Sequence, residues 1–407
     1  MKKYLVILLS AVIAHSFWAC QTDCTQTVYY MKEVPIYMAV ADLVKDIKVE
    51  GPRQEGTITS ITENNTGYYL VDDNLGIHVL TKTSGVPVRS AFISMPRCMR
   101  AEAIEDFLIV VQVSEIHLFD VSDHQNIRLV QTVNGRLNTP FMKQDSVVID
   151  YDFVETVDVI ENANCGDNFV SIGEPEIFQT ANLPPHADMD SKSNAVYICD
   201  NLNLVTLEVS PGGTMSVTTV NPFISFVSNF NSFIHADDDE LFIRNVNIGS
   251  SGFDISNNPS VPVPNFNTLF FNFSCTDFVF NDNIGCHSHF FEKEMLTCDP
   301  NNRVDMFPKL SSSSTRNQNA LFLVEPHQVE LFNSLLFVCD GPGGFICFDV
   351  SDQLGFNQNA AELDRLSEFD ASVFCLSPNR ALISGDDGIF YVDVSTRTDL
   401  KTIGKVE

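Results

Sequence analysis

Along most of this chain apolar residues come in short runs of four to six, and each run is cut off by Gly, Asp or Asn. Four stretches show the pattern: "YYLVDDNLGIHVL" (68–80), "FLIVVQVSEIHLFDVSD" (107–123), "LLFVCDGPGGFICFDVSD" (335–352) and "ALISGDDGIFYVDVS" (381–395). Runs of that length predict β-strands, and the turns "DDNLG", "DGPGG" and "GDDG" supply residues that tolerate the positive φ of tight hairpins. Helical spacing is sustained only over "MAVADLVKDIKVE" (38–50), which predicts one short leading helix.

The strand that ends each stretch repeats. Aligned on its acidic residue, the series is Asp120, Glu208, Asp254, Asp349 and Asp393, with gaps of 88, 46, 95 and 44. Asp305 in "VDMF" divides the longest gap, and "GIHVLTKT" (76–83) matches "EIHLFDVS" (115–122) without the acid, so seven units emerge. The segment 134–180 lacks the phrase and reads as an insertion between the second and third units. A period in the forties, with several strands per unit, predicts a repeat fold. One small twisted sheet cannot bury both of its faces, whereas a closed circle of them can. The expectation is therefore an all-β, seven-bladed β-propeller of four-stranded antiparallel blades, rather than six or eight blades. At the strand ends, Asp followed by Ser suits turn chemistry, with the alternative a ring of acids binding cations; turn chemistry is the preferred account.

The N-terminus changes the picture of where the chain works. Lys2 and Lys3 precede an uncharged run, "YLVILLSAVIA", too short to span a bilayer, so residues 1–19 predict a secretory signal. Ala19–Cys20 resembles the lipobox of bacterial lipoproteins, in which the Cys is diacylated; cleavage after a small residue such as Ser16 is the alternative. Residues 20–55 then form a lipidated tether and leading segment, and 56–407 the propeller. Beyond Cys20 no apolar stretch is long enough to cross a membrane.

Formal charge is −29, from 24 basic and 53 acidic side chains, and no basic cluster interrupts it. Such a field repels phosphate backbones, which argues against a nucleic-acid partner. Of the 11 Cys, Cys199 in "YICD" and Cys339 in "FVCD" occupy equivalent strand positions and read as core residues. The densest chemical cluster holds Cys275, Cys286, His287, His289 and Cys298, which suits either a disulfide or zinc, although no compact C-x-x-C pair is present. "HADMD" (186–190) and "HADDDE" (235–240) leave room for a structural Ca²⁺, but neither has the ligand spacing of an EF-hand, and solvated acidic turns are the simpler account. No Gly-x-Ser-x-Gly, His-Glu-x-x-His or phosphate-binding glycine loop occurs, and no cofactor is expected.

The export signal, the segment "EVPIYMAVADLVKDIKVEGPR" (33–53) and the four stretches quoted above together resemble the LVIVD-repeat β-propeller lipoproteins of the Bacteroidetes type. In that family an apolar strand ending in Asp precedes a strand ending in a "DVSD"-like phrase. The resemblance implies an outer-membrane lipoprotein of the cell envelope, tethered through Cys20, and a disulfide between Cys275 and Cys298. It carries no catalytic residues over. The function expected is a monomeric binding or scaffold module for a glycan, peptide or protein partner. The alternative is a propeller enzyme, a metal-assisted hydrolase or lyase, with its site at the channel mouth.

Overall fold

The computed structural model describes residues 26–407 except 74, 135–136, 138–141, 144–145, 161–186, 201–202, 223–231, 238, 246–248, 270–276, 282–283, 290–301, 309–318 and 352–359. Cys20, Cys275 and Cys298 lie outside the described residues. Seven antiparallel sheets follow one another along the chain, at 58–94, 98–133, 188–222, 232–269, 277–322, 329–366 and 373–405, numbered here as blades 1 to 7. Within each blade the four strands lie side by side in chain order, as successive hairpins dictate. The first strands of neighbouring blades pack beside one another from blade 1 to blade 6, blade 7 packs on blade 6 through a shared core, and the first strand of blade 7 lies beside that of blade 1, so the circle closes around an axis.

The core sits between blades. Tyr69, Val79, Leu108 and Phe119 pack blade 1 on blade 2, while Val196, Ile198 and Leu207 join Ile109 and Leu118 between blades 2 and 3. Phe337, Phe345, Phe374 and Ile383 fill the boundary of blades 6 and 7. Cys199 and Cys339 are fully buried in such layers, as small side chains of the core. Burial of both sheet faces explains the near-continuous apolar second strands, such as Phe107–Gln112.

Each sheet nevertheless keeps an outer edge open to pairing. In six of the seven blades the ladder between third and fourth strands is broken by a β-bulge, which twists and blunts that edge. Blade 1 is further covered by Lys48–Glu50, which pairs with its outermost strand Val88–Ser94.

Closure of the circle uses no exchanged strand, because all four strands of blade 7 are contiguous. The seam is instead packed and clasped. Ile58, Tyr68, Leu70 and Leu80 meet Leu382, Ile389 and Val406. Arg89 donates to the Glu407 carbonyl (3.0 Å) and the Arg53 carbonyl (3.1 Å), and also bonds the Glu55 carboxylate.

The leading segment differs from the helix expected over 38–50. Strand Gln26–Ala39 runs into a six-residue helix, Val40–Lys45. The β-branched and aromatic content of "TVYYMKEVPIYM" favours extended chain up to Ala39. The strand belongs to a three-stranded sheet with Ser146–Ile160 and Met142–Lys143 from the insertion. Residues 26–38 and 148–160 belong to one compact unit and the blades to another.

Candidate functional site at the axis of the ring

The innermost strand of each blade has one edge paired within its sheet and one facing the axis, where its N–H groups lack a ladder partner. Side chains of the preceding blade fill that role. Thr62 Oγ1 accepts from the Ala103 amide (3.2 Å), Asp188 Oδ2 from Ile234 (3.0 Å) and Asp190 Oδ2 from Ala236 (2.7 Å). Asp277 Oδ2 accepts from Val329 (3.0 Å) and Gln328 Oε1 from Phe374 (2.7 Å). The remaining boundaries are bridged differently. Ser191 Oγ donates to Glu102 (2.7 Å), His235 Nε2 bonds the Phe280 carbonyl (3.1 Å), and Ser377 Oγ donates to Glu63 (2.8 Å). Every blade boundary thus carries at least one polar staple near the axis.

Because extended residues two apart face the same way, Arg100 with Glu102 and Asp188 with Asp190 form two layers along the axis. Arg100 Nε donates to Asp188 Oδ1 (3.1 Å) and Lys82 pairs with Glu63 (2.9 Å). His235 Nδ1 approaches Asp190 Oδ2 at 3.5 Å. Glu63, Glu102, Asp188, Asp190, Asp277 and Glu330 together outnumber these cations. Each keeps a partly accessible face toward the channel, yet protein encloses it on most sides.

Desolvation dominates the electrostatics there. It pushes the carboxyl of Glu102 up to about 8, reinforced by the charges of Asp190 and Asp188. Glu330 is likewise pushed up to about 8 by burial, then by Asp190, Asp277 and Glu63. Asp277 rises to about 7 and Asp190 also rises, both chiefly through burial. Cys375, on blade 7, has its thiol pushed well up by burial and by Glu63, Glu330 and Glu102, so it is a poor nucleophile. The axis can hold protons and hydrogen bonds across blades. Among the described residues no three His, Cys, Asp or Glu side chains converge as a cage for a metal ion.

The residues singled out in the sequence are distributed otherwise. Asp120, Asp254, Asp349 and Asp393 each end a third strand, and Oδ1 of each accepts from the amide of the Ser two residues on, at 2.8–3.1 Å. Hydrogen bonding by that Ser holds all four carboxyls below the usual range. Glu208 accepts from Asn194 (2.9 Å) near the end of its strand. Asp305 stands elsewhere: it is the third residue of Arg303–Pro308, buried against His287 Nε2 (3.2 Å) and Arg303 (2.9 Å). Cys286 and its neighbour His287 face opposite sides of their strand, Cys286 into the layer shared with blade 6.

Two acidic stretches read as solvated turns require correction. Of "HADMD", Asp188, Met189 and Asp190 begin the innermost strand of blade 3, with both acids at the axis; of "HADDDE", His235 and Ala236 belong to an innermost strand, and a turn follows in which the Asp237 amide donates to the Glu240 carbonyl. The signal available was acid at every second position, which on a strand means one face.

The Asp at the end of the apolar second strand also has a defined task, which is to pin the chain that leads into its own blade. Asp72 Oδ2 accepts from the Gly56 amide (2.8 Å), and Asp340 Oδ1 from Val324 (2.8 Å) and Glu325 (2.9 Å). In blade 2 Gln112 substitutes, donating to the Pro96 carbonyl (2.7 Å).

No family model matches this sequence, and no curated protein is similar to it. Solved structures are similar in fold. A Bacteroides fragilis protein provisionally assigned as a 6-phosphogluconolactonase aligns with TM-score 0.51 and 10% identity over 86% of this chain and 94% of that one. The computationally designed Ika8 protein gives 0.49 and 9% over 86% and 87%, and BamB of Moraxella catarrhalis 0.45 and 11% over 89% and 99%. At such identity the likeness speaks to architecture alone: the chain is a seven-bladed β-propeller.

Proposed function

We propose that this chain is an LVIVD-repeat propeller of the Bacteroidetes lipoprotein type, held at the outer membrane through a lipid on Cys20, and that it works as a binding or scaffold module for a protein or glycan. The observation that carries the reading is the commitment of the axial carboxylates. Asp188, Asp190 and Asp277 accept backbone amides of the next blade, so three of the six axial carboxylates serve to hold the ring together. Recognition then falls to the connections between blades. The longest, between Val133 of blade 2 and Asp188 of blade 3, includes two strands of its own. The export signal and Cys20 support the envelope location.

Two experiments test this. Mature protein is screened for saturable binding to envelope glycans and proteins, and for turnover of lactone, ester and glycoside substrates. Binding that is lost when 138–183 is replaced by a short linker, without turnover, supports the module; enzyme-like turnover overturns it. For the tether, Cys20→Ala should move the protein from the membrane to the soluble envelope fraction, and unchanged membrane partition refutes it.

A further inference from the structure

The five amides at the axis are capped by two chemically different kinds of acceptor. Ile234, Ala236 and Val329 donate to carboxylates, whereas Ala103 and Phe374 donate to the neutral Thr62 hydroxyl and Gln328 amide. The carboxylates that cap are aspartates. Among the described residues the two glutamates, Glu102 and Glu330, cap no backbone amide; Glu102 accepts from the hydroxyls of Ser191 and Thr62.

Every element around these glutamates contributes a titratable or charged group. Blade 1 presents Glu63, already paired with Lys82, and blade 2 presents Arg100 beside Glu102, already paired with Asp188. Blade 3 presents Asp188 and Asp190, and blade 4 His235, against Asp190. Blade 5 presents Asp277, blade 6 Glu330 itself and blade 7 Cys375. No cation in this set is left over for Glu102 or Glu330. With all six carboxyls ionised, two side-chain cations, with or without His235, would face six negative charges.

We propose that the axis is a proton-held latch: Glu102 and Glu330 stand as neutral acids at neutral pH, which lets the aspartates keep blades 3 to 4 and 5 to 6 stapled, and their ionisation loosens those staples. Elevated proton affinity at both glutamates agrees with this arrangement. An opposing effect exists, since an ionised aspartate accepts a hydrogen bond roughly twice as strongly as a neutral acid. That gain acts on single bonds. Each new glutamate charge acts on several neighbours at once, Glu330 on Asp190, Asp277 and Glu63, and Glu102 on Asp190 and Asp188, so repulsion prevails.

Residue-resolved amide hydrogen exchange on the full-length mature protein between pH 6 and 9 tests the latch, with rates corrected for intrinsic base catalysis. Protection at Ile234, Ala236 and Val329 should fall about tenfold across that range, while Phe374, capped by the Gln328 side-chain amide, stays level. In the Glu102→Gln/Glu330→Gln variant all five should stay level. Protection that is constant or rises at the three aspartate-capped amides of the wild type overturns the proposal. So does an equal fall at Phe374, which would mark general opening of the ring. Because the wild type carries its own control amide, the result stands even if the double variant folds poorly.

Discussion

Replacing Glu330 by Gln should make the ring more stable at alkaline pH and change it least at acid pH. Burial and three neighbouring carboxylates push this carboxyl from its ordinary 4.5 up to about 8 in the folded protein. Between those values the folded state binds more protons than the unfolded chain, so stability must fall as pH rises through the window. Each tenfold in proton affinity is about 1.4 kcal/mol, which sets an upper limit of roughly 5 kcal/mol for this one group. Glu330 keeps some contact with channel water, and screening there reduces the figure to about 1–2 kcal/mol. Spread over the unfolding entropy of about 350 residues, that corresponds to roughly 2 °C in Tm. Scanning calorimetry of wild type and Glu330→Gln at pH 5, 7 and 9 measures it. The gap should be smallest at pH 5, where Glu330 is protonated in the folded state while the unfolded chain has only begun to lose that proton's advantage, and it should widen toward pH 9, where the variant melts higher. A wild-type Tm that climbs from pH 6 to 9, or a variant that melts with or below the wild type at pH 9, would refute the reasoning, because it would mean that Glu330 is ionised without penalty.

Three other outcomes are expected. Arg89→Ala removes the clasp on the Glu407 and Arg53 carbonyls and should cost about 1–3 kcal/mol in urea unfolding, with faster exchange of the Val406 amide, which bonds the Ile389 carbonyl within blade 7 next to the clasped Glu407. Gly344→Ala places a methyl 1.9 Å from the Leu366 carbonyl oxygen at φ +84°, and should cost roughly 2–4 kcal/mol, whereas Gly51→Ala, with open space around it, should be close to neutral by the same measurement. On the acid side the sign reverses: burial pushes His117 down to about 4 and also lowers His78 and His124, so the unfolded chain binds more protons and stability should fall as pH drops from about 6 to 4; circular dichroism melts in that range check it, and a Tm that keeps rising toward pH 4 would be inconsistent with neutral buried imidazoles.

The ring was legible because blade burial imposes the same demand seven times. Strand ends such as Asp349 and Asp393 meet equivalent surroundings, so the phrase that closes their turns recurs at a readable spacing. Asp305 shows the limit of alignment by residue type: an acid in the middle of a strand, facing a buried His, looks the same in one dimension as an acid closing a turn. The axial site was far less legible. Asp188, Asp190, Asp277 and Glu330 lie in four-to-five-residue strands scattered over nearly 150 positions, and only the closing of the circle makes them neighbours. Acid at every second position is the one local hint that separates an innermost strand from a solvated turn, and in strands this short it amounts to two residues. The leading helix is present but shorter than 38–50, six residues, for a related reason: the extended stretch before it finds a partner strand more than a hundred residues away.

A circle fastened by side-to-side packing and one arginine, with no strand shared between its first and last blades, has no privileged starting point. The break in the backbone could be moved to another blade boundary, with the present ends joined, and each blade would still be a complete sheet made from contiguous chain. Architectures closed by a borrowed strand lack that freedom, since relocating their ends splits a sheet. Here a whole blade is also the natural unit of gain or loss, which makes blade number a quantity that duplication or deletion can change without first inventing a new way to shut the ring.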